Sequence, residues 1–144
     1  MAAHRFQNPS PAVGRPSPLS QNIPMKAVLL ISHGSHSPKT KQEVVALIKR
    51  LQPLCDFGIF EYAFLEIEKP SIPEGIDICV EKGATDITVL LNFLNSGKHV
   101  DDDIPRIIKE AKIKHAGVNF GSTIPVGQHP QITELFLDLL KTTL

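Results

Sequence analysis

The chain has 144 residues, 42% apolar and 21% charged, which suits one domain around one hydrophobic core. Lys+Arg and Asp+Glu number 15 each, and a net charge of zero argues against a general nucleic-acid binder, which needs a basic surface. With no Trp and 6% aromatic residues a base-stacking platform is excluded, and no apolar run reaches the length of a membrane span.

Residues 1–24 carry five prolines, two arginines and no acid, without helical or strand period. They read as a disordered, Pro-rich extension. An overlong start with Met25 as the natural first residue, a functional tail and an organellar presequence are the competing origins. Residues 25–144 read as a single domain. Cytoplasm is the expected location, with a plastid or other organelle as the alternative if the first segment is a presequence.

From Lys26 the pattern alternates strand and helix. "KAVLLIS" is a continuous apolar run, as in a strand buried on both faces. A helix follows Pro38, with Val44, Leu47, Ile48 and Leu51 on one face. "FGIFEYAFLE" is the second strand. Pro73 lies in the first turn of a second helix, which stops at Gly83. "DITVLLNF" is the third strand. Asp101, Asp102 and Asp103 open a third helix, with Ile104, Ile107, Ile108 and Ala111 inward. "GVNFGSTIPV" is the fourth strand. "HPQITELFLDLLKTTL" is a closing helix, with Ile132, Leu135, Phe136 and Leu139 expected inward. Four strand–helix units with short connections predict an α/β fold, a four-stranded parallel sheet flanked by helices.

Ligands of such sheets bind beyond the carboxyl ends of the strands. Ser32, His33, Gly34, Ser35 and His36 follow the first strand, and Glu66 ends the second, with Glu68 two residues on. Lys98 and His99 follow the third strand, and Gln128 and His129 the fourth. Three of the six histidines, with His36 three residues beyond His33, thus fall at one edge of the sheet. Neutral imidazole ligates borderline divalent metals such as Fe, Co, Ni and Zn, and a nearby carboxylate completes a site or takes a proton.

Each residue alone has a plainer reading. His33 caps a turn, His36 is a loop residue, His129 caps the last helix and Glu66 is a surface carboxylate. Lys98 is a solvated cation, and His115, at the opposite edge, is structural. The three aspartates stabilise a helix N-terminus, one of them as N-cap. Cys55 and Cys79 form no paired motif and read as small buried apolar residues of a reduced compartment.

"LLISHGSHSPKTKQEV", "AFLEIEKPSIPEGID", "LLNFLNSGKHVDDDIP" and "TIPVGQHPQI" together resemble, in order and spacing, the motifs of the short-form sirohydrochlorin chelatases. These are the class II cobalto- and ferrochelatases, related to the nickel chelatase of coenzyme F430 synthesis. The resemblance runs from about Lys26 to the C-terminus. It implies a half-lobe that pairs as a homodimer, with the active site in the cleft between subunits. It also implies insertion of a divalent metal, Co²⁺ or Fe²⁺, into sirohydrochlorin without ATP, in cobalamin or siroheme biosynthesis. The family's metal-binding histidines fall on His33 and His99. Relatives often have Glu directly before the Pro of the second motif. Here Lys69 stands there, which bears on Glu68 more than on Glu66. No permanently bound cofactor is expected; the metal is a substrate.

On this reading His33 and His99 hold the metal and Glu66 is general base or accessory ligand. Ser32, Ser35, Lys39, Lys98 and His129 are candidates for binding the substrate and its carboxylates. Nickel insertion for F430 and a non-catalytic tetrapyrrole or metal carrier are the alternatives. A histidine phosphatase wants Arg immediately before the nucleophilic His, and Ser32 stands there.

Overall fold

A computed structural model describes residues 23–143; what the sequence predicts for residues 1–22 lies outside them. Four strands, β1 (Lys26–Ser32), β2 (Ile59–Phe64), β3 (Asp86–Leu91) and β4 (Asn119–Ser122), form one parallel sheet in the order β2-β1-β3-β4. The helices are α1 (Pro38–Leu51), α2 (Ile72–Glu81), α3 (Ile104–Lys114) and α4 (Ile132–Thr143). The predicted α/β fold is what forms.

The strand order carries a functional consequence. From β1 the chain moves through α1 to one neighbour, β2. It then returns across β1, through α2, to β3 on the other side. Right-handed crossovers in opposite directions put their helices on opposite faces. Accordingly α1 places Val44 and Ile48 against Leu30 and Phe64. On the other face, α2 and α3 pack Ile72, Ile76, Cys79, Ile104 and Ala111 against Leu29, Ile31, Val89 and Leu91. The winding reverses between β1 and β3, and the loops diverging there open a crevice at their carboxyl ends.

Local sequence explains the boundaries. Ser71 caps α2 by accepting from the Glu74 N–H at 3.3 Å, and Pro73 occupies the first turn, where no amide donor is needed. Strand four is shorter than predicted. Asn119–Ser122 pairs at the sheet edge, Thr123 still donates its N–H to the Val89 carbonyl at 2.9 Å, and the following Ile-Pro-Val leaves the sheet.

The closing helix forms, but its packing departs from expectation. Leu135, Phe136 and Leu139 are 58%, 54% and 60% exposed, and α4 has no buried residue. Its main neighbour is the short turn at residues 126–128. An amphipathic pattern predicts that a face will be covered, without saying by what. Cys79 is fully buried as expected, whereas Cys55 is only half-buried and donates weakly to the Leu51 carbonyl. Among the described residues no helix is long and apolar enough to cross a membrane.

Candidate metal and tetrapyrrole site

The site begins where backbone pairing outlasts the strands. Beyond the last residues of β1 and β2, the Leu65 N–H donates to the Ser32 carbonyl at 2.9 Å and the Glu66 N–H to the His33 carbonyl at 3.1 Å. These two bonds carry His33 and Glu66 out of the sheet side by side. Gly34 then turns the chain with φ +104°, against the Glu66 backbone. On the other side Ile67 takes φ +71° while the Glu68 N–H donates to the Glu66 carbonyl at 2.8 Å. That bond closes a γ-turn of the rare left-handed kind, strained for a β-branched residue. The Glu68 carboxylate folds back to accept from the Ser35 N–H at 2.9 Å. The two glutamates thereby separate: Glu68 braces the loop, and Glu66 points its Oε1 at His33 Nε2, 2.9 Å away.

His99 comes from β3. Asn92 extends β3 by donating its N–H to the Ile31 carbonyl, and its side-chain amide donates to Ser32 Oγ at 3.0 Å. The turn at Val126–Gln128 pins the rest of the loop. The Gly127 N–H donates to the Phe93 carbonyl at 3.0 Å, and Gln128 Nε2 to Ser96 Oγ at 2.7 Å. At Gly127 a Cβ would stand 1.7 Å from the Leu94 carbonyl oxygen, so only glycine fits. His99 then opens a π-helical turn, His99–Asp103, which runs into α3.

These devices bring the two histidines together across the β1/β3 crevice. Their ring centroids are 5.9 Å apart, tilted by 55°. One ligand atom each of His33, Glu66 and His99 lies within 4.8 Å of the others. Bonds from nitrogen or oxygen to a divalent ion run about 2.0–2.2 Å. Small side-chain rotations therefore close all three on a single ion. The side chains are half-open to solvent, with exposures of 50%, 49% and 52% in that order. Such a trio leaves coordination positions free on the solvent side.

Residues 27–143 match the CbiX family. The chain belongs to that family. It is 39% identical over 121 residues to a sirohydrochlorin cobaltochelatase of Priestia megaterium, covering 83% of this chain and 38% of that protein. It is 32% identical to a sirohydrochlorin cobaltochelatase of Saccharolobus solfataricus, over 83% of this chain and 96% of the other. Among solved structures it superposes with TM-score 0.74 and 28% identity on the sirohydrochlorin chelatase SirB from Bacillus subtilis subspecies spizizenii in complex with cobalt, over 81% of this chain and 50% of that one. The chain thus spans half or less of the longer relatives and nearly all of the short one.

The other predicted site residues are distributed unevenly. Ser32 is only 5% exposed and lies beneath the site, its oxygen engaged by Asn92. The Ser35 hydroxyl accepts from the Ser37 N–H at 3.1 Å and shapes the loop. Lys98 is exposed beside His99 and makes no ion pair among the described residues. His129 is exposed at the start of α4, where its Nδ1 accepts from the Gln131 N–H at 3.1 Å. His36 is exposed in the β1–α1 connection, and Lys39 is exposed in the first turn of α1. His115 sits at the opposite edge, bonded to Asp77 at 2.9 Å. A hollow of about 530 Å³ opens beside His33, lined by Ser32, Gly34, Thr40, Arg50 and Asn92. A larger one, about 730 Å³, runs along α1 and meets the site only at Ser35 and Glu68.

The aspartate run differs from expectation. None of the three caps the helix with its side chain. Asp103 instead places Oδ2 2.7 Å from His99 Nδ1, with Arg106 at 3.8 Å from its other oxygen. The sequence held a signal for this pair, a His and an Asp four residues apart at a helix start.

Proposed function

We propose that this protein inserts Co²⁺ or Fe²⁺ into sirohydrochlorin. The observation that carries the reading is the convergence of His33, Glu66 and His99, one from each of three loops, at the crevice between β1 and β3. Relatives named as cobaltochelatases and ferrochelatases both support it. Two imidazoles and one carboxylate suit a metal in transit, since a thiolate set would retain the ion. Insertion exchanges M²⁺ for two pyrrole N–H protons. The His33–Glu66 pair, whose Nε2 and Oε1 are 2.9 Å apart, offers the first acceptors for them. The exposed Lys98 and Lys39 are candidates to receive substrate carboxylates, with His129 at the outer rim. The buried Ser32 is better placed to support the site than to touch a ligand.

The active unit in this reading is a homodimer. The chain corresponds to half of the Bacillus chelatase and to almost the whole of the Saccharolobus one. The uncovered apolar side of α4 and the half-covered β3 residues Thr88 and Leu90 supply the surface for a second copy. Leu135→Glu with Phe136→Glu should convert a dimer to a monomer in light scattering.

The deciding experiment follows sirohydrochlorin absorbance anaerobically with Co²⁺ or Fe²⁺. The wild-type protein should accelerate insertion over the solution rate. His33→Ala and His99→Ala should remain folded and lose most of that acceleration. Insertion by both variants at the wild-type rate would refute the assignment.

A further inference from the structure

The π-helical turn is the least ordinary backbone feature near the site. In it the Ile104 N–H donates to the His99 carbonyl, five residues back, while the Asp101 N–H donates to the Gly97 carbonyl at 2.8 Å. Such turns are rare and gather at functional sites, because a widened turn re-aims the side chains it carries. Here the turn begins on one half of a close side-chain pair and ends on the other. His99 Nδ1 and Asp103 Oδ2 are 2.7 Å apart. The second Asp103 oxygen faces Arg106 at 3.8 Å, and Arg106 reaches Glu110 at 3.7 Å, so the carboxylate is tethered along α3. Val100 and Ile104, only 8% and 0% exposed, anchor the turn in the core. Asp101 and Asp102 are exposed and make no such pair among the described residues.

We propose that Asp103 is a positioning residue for metal handling. It holds His99 as the Nδ1–H tautomer, so that the unprotonated Nε2 is the nitrogen presented to the ion. A carboxylate on one ring nitrogen fixes the orientation of the ring and leaves the other nitrogen as the ligand atom. The inference rests on the reading that His99 holds the metal. It goes beyond that reading in assigning a role to an acid outside the His33–Glu66–His99 trio. Asp103 also ties the ligand to α3, whereas His33 is oriented by Glu66, itself a candidate ligand. The two histidines are thus held differently: His33 by a group able to change partners when the ion arrives, His99 by one that stays.

Three measurements on the full chain test this. Long-range proton–nitrogen NMR of metal-free protein should show His99 as the Nδ1–H tautomer, and Asp103→Asn and Asp103→Ala should shift it toward Nε2–H. Titration with Co²⁺ alone should show binding weakened about 10- to 100-fold in both variants. Asp103→Glu should recover part of the loss, and Asp102→Ala, with the same change of charge, should bind as wild type. Removing Asp103 in a His99→Ala background should cost no further Co²⁺ affinity, because Asp103 acts only through His99. An unchanged tautomer, an additive double variant or an equal loss in Asp102→Ala would overturn the proposal. Wild-type Co²⁺ binding by His99→Ala would refute the metal-ligand reading itself. Loss in His99→Ala without loss in Asp103→Ala would refute only the role of Asp103.

Discussion

Gly34 stands so close to Glu66 that a Cβ on it would lie 1.9 Å from the Glu66 carbonyl oxygen. The contact is between backbones, so no side-chain rotation relieves it. The φ of +104° adds a conformation that L side chains rarely adopt. Gly34→Ala must therefore push the β1–α1 loop away from the β2–α2 loop, separating His33 from Glu66. The expected result is a drop in stability of at least about 1–2 kcal/mol, the usual cost of left-handed backbone in a residue with a Cβ. Co²⁺ affinity should fall with it. Chemical denaturation and metal titration on one variant check both; stability loss with intact Co²⁺ binding would show that the two loops align independently.

Ser32 and Asn92 support a second prediction. The Asn92 amide donates to Ser32 Oγ at 3.0 Å, joining the ends of β1 and β3 directly under the histidines. Ser32→Ala removes the acceptor and leaves a part-buried amide short of a partner, at a cost of about 1–3 kcal/mol. Because Ser32 is nearly inaccessible, KM for sirohydrochlorin should change little while Tm falls. A large rise in KM at unchanged Tm would restore the direct substrate role expected from the sequence.

The strand–helix order and the carboxyl-end edge were legible in the sequence, because apolar periodicity and turn residues are local properties. Of the three histidines placed at that edge, His33 and His99 were singled out only by the family resemblance; their rings meet at 5.9 Å, while His129 stays at the start of α4. The sequence favoured Glu66 over Glu68 only by its place at the end of the second strand and by the family resemblance. The γ-turn at Ile67 and the Ser35 N–H separate them. The aspartate run looked like a capped helix start because acids at that position are ordinary there. The spacing of four between His99 and Asp103 was visible, but the π turn that carries the pair has no composition of its own. For α4 the period was read correctly and its covering was not, since an apolar stripe does not name its partner.

Cys79 and Cys55 should differ sharply in reactivity. Burial, with Glu61 nearby, pushes the Cys79 thiol up to about 12, and the residue is fully inaccessible. The thiolate is the nucleophile, so at pH 8 Cys79 is both protonated and shielded. Iodoacetamide should modify the half-buried Cys55 first and reach Cys79 only at the rate of unfolding. Mass spectrometry of a labelling time course with and without urea distinguishes the two sites. Equal rates in native protein would mean that α2 opens readily from the sheet.

Asp77 provides the pH-dependent prediction, away from the metal site. It accepts from Lys114 Nζ at 3.0 and 3.1 Å and from His115 Nε2 at 2.9 Å, tying α2 to the end of α3. Glu110 is the other acid lining the same small hollow. Burial alone would raise the Asp77 carboxyl, but the hydrogen bonds and charges of Lys114 and His115 outweigh it and hold the group below its ordinary 3.8. A depressed carboxylate contributes stability that is fully present above the unfolded-state value and is lost as pH falls through the folded one. The difference in stability between wild type and Asp77→Asn should therefore be fully developed at about pH 5 and should shrink below about pH 4. The carboxylate is 35% exposed, which limits the plateau to roughly 1 kcal/mol or less. Urea titrations of both proteins at pH 3, 5 and 7 provide the check. A difference that grows toward pH 3 would reverse the sign and place the stabilising form of Asp77 on the protonated side.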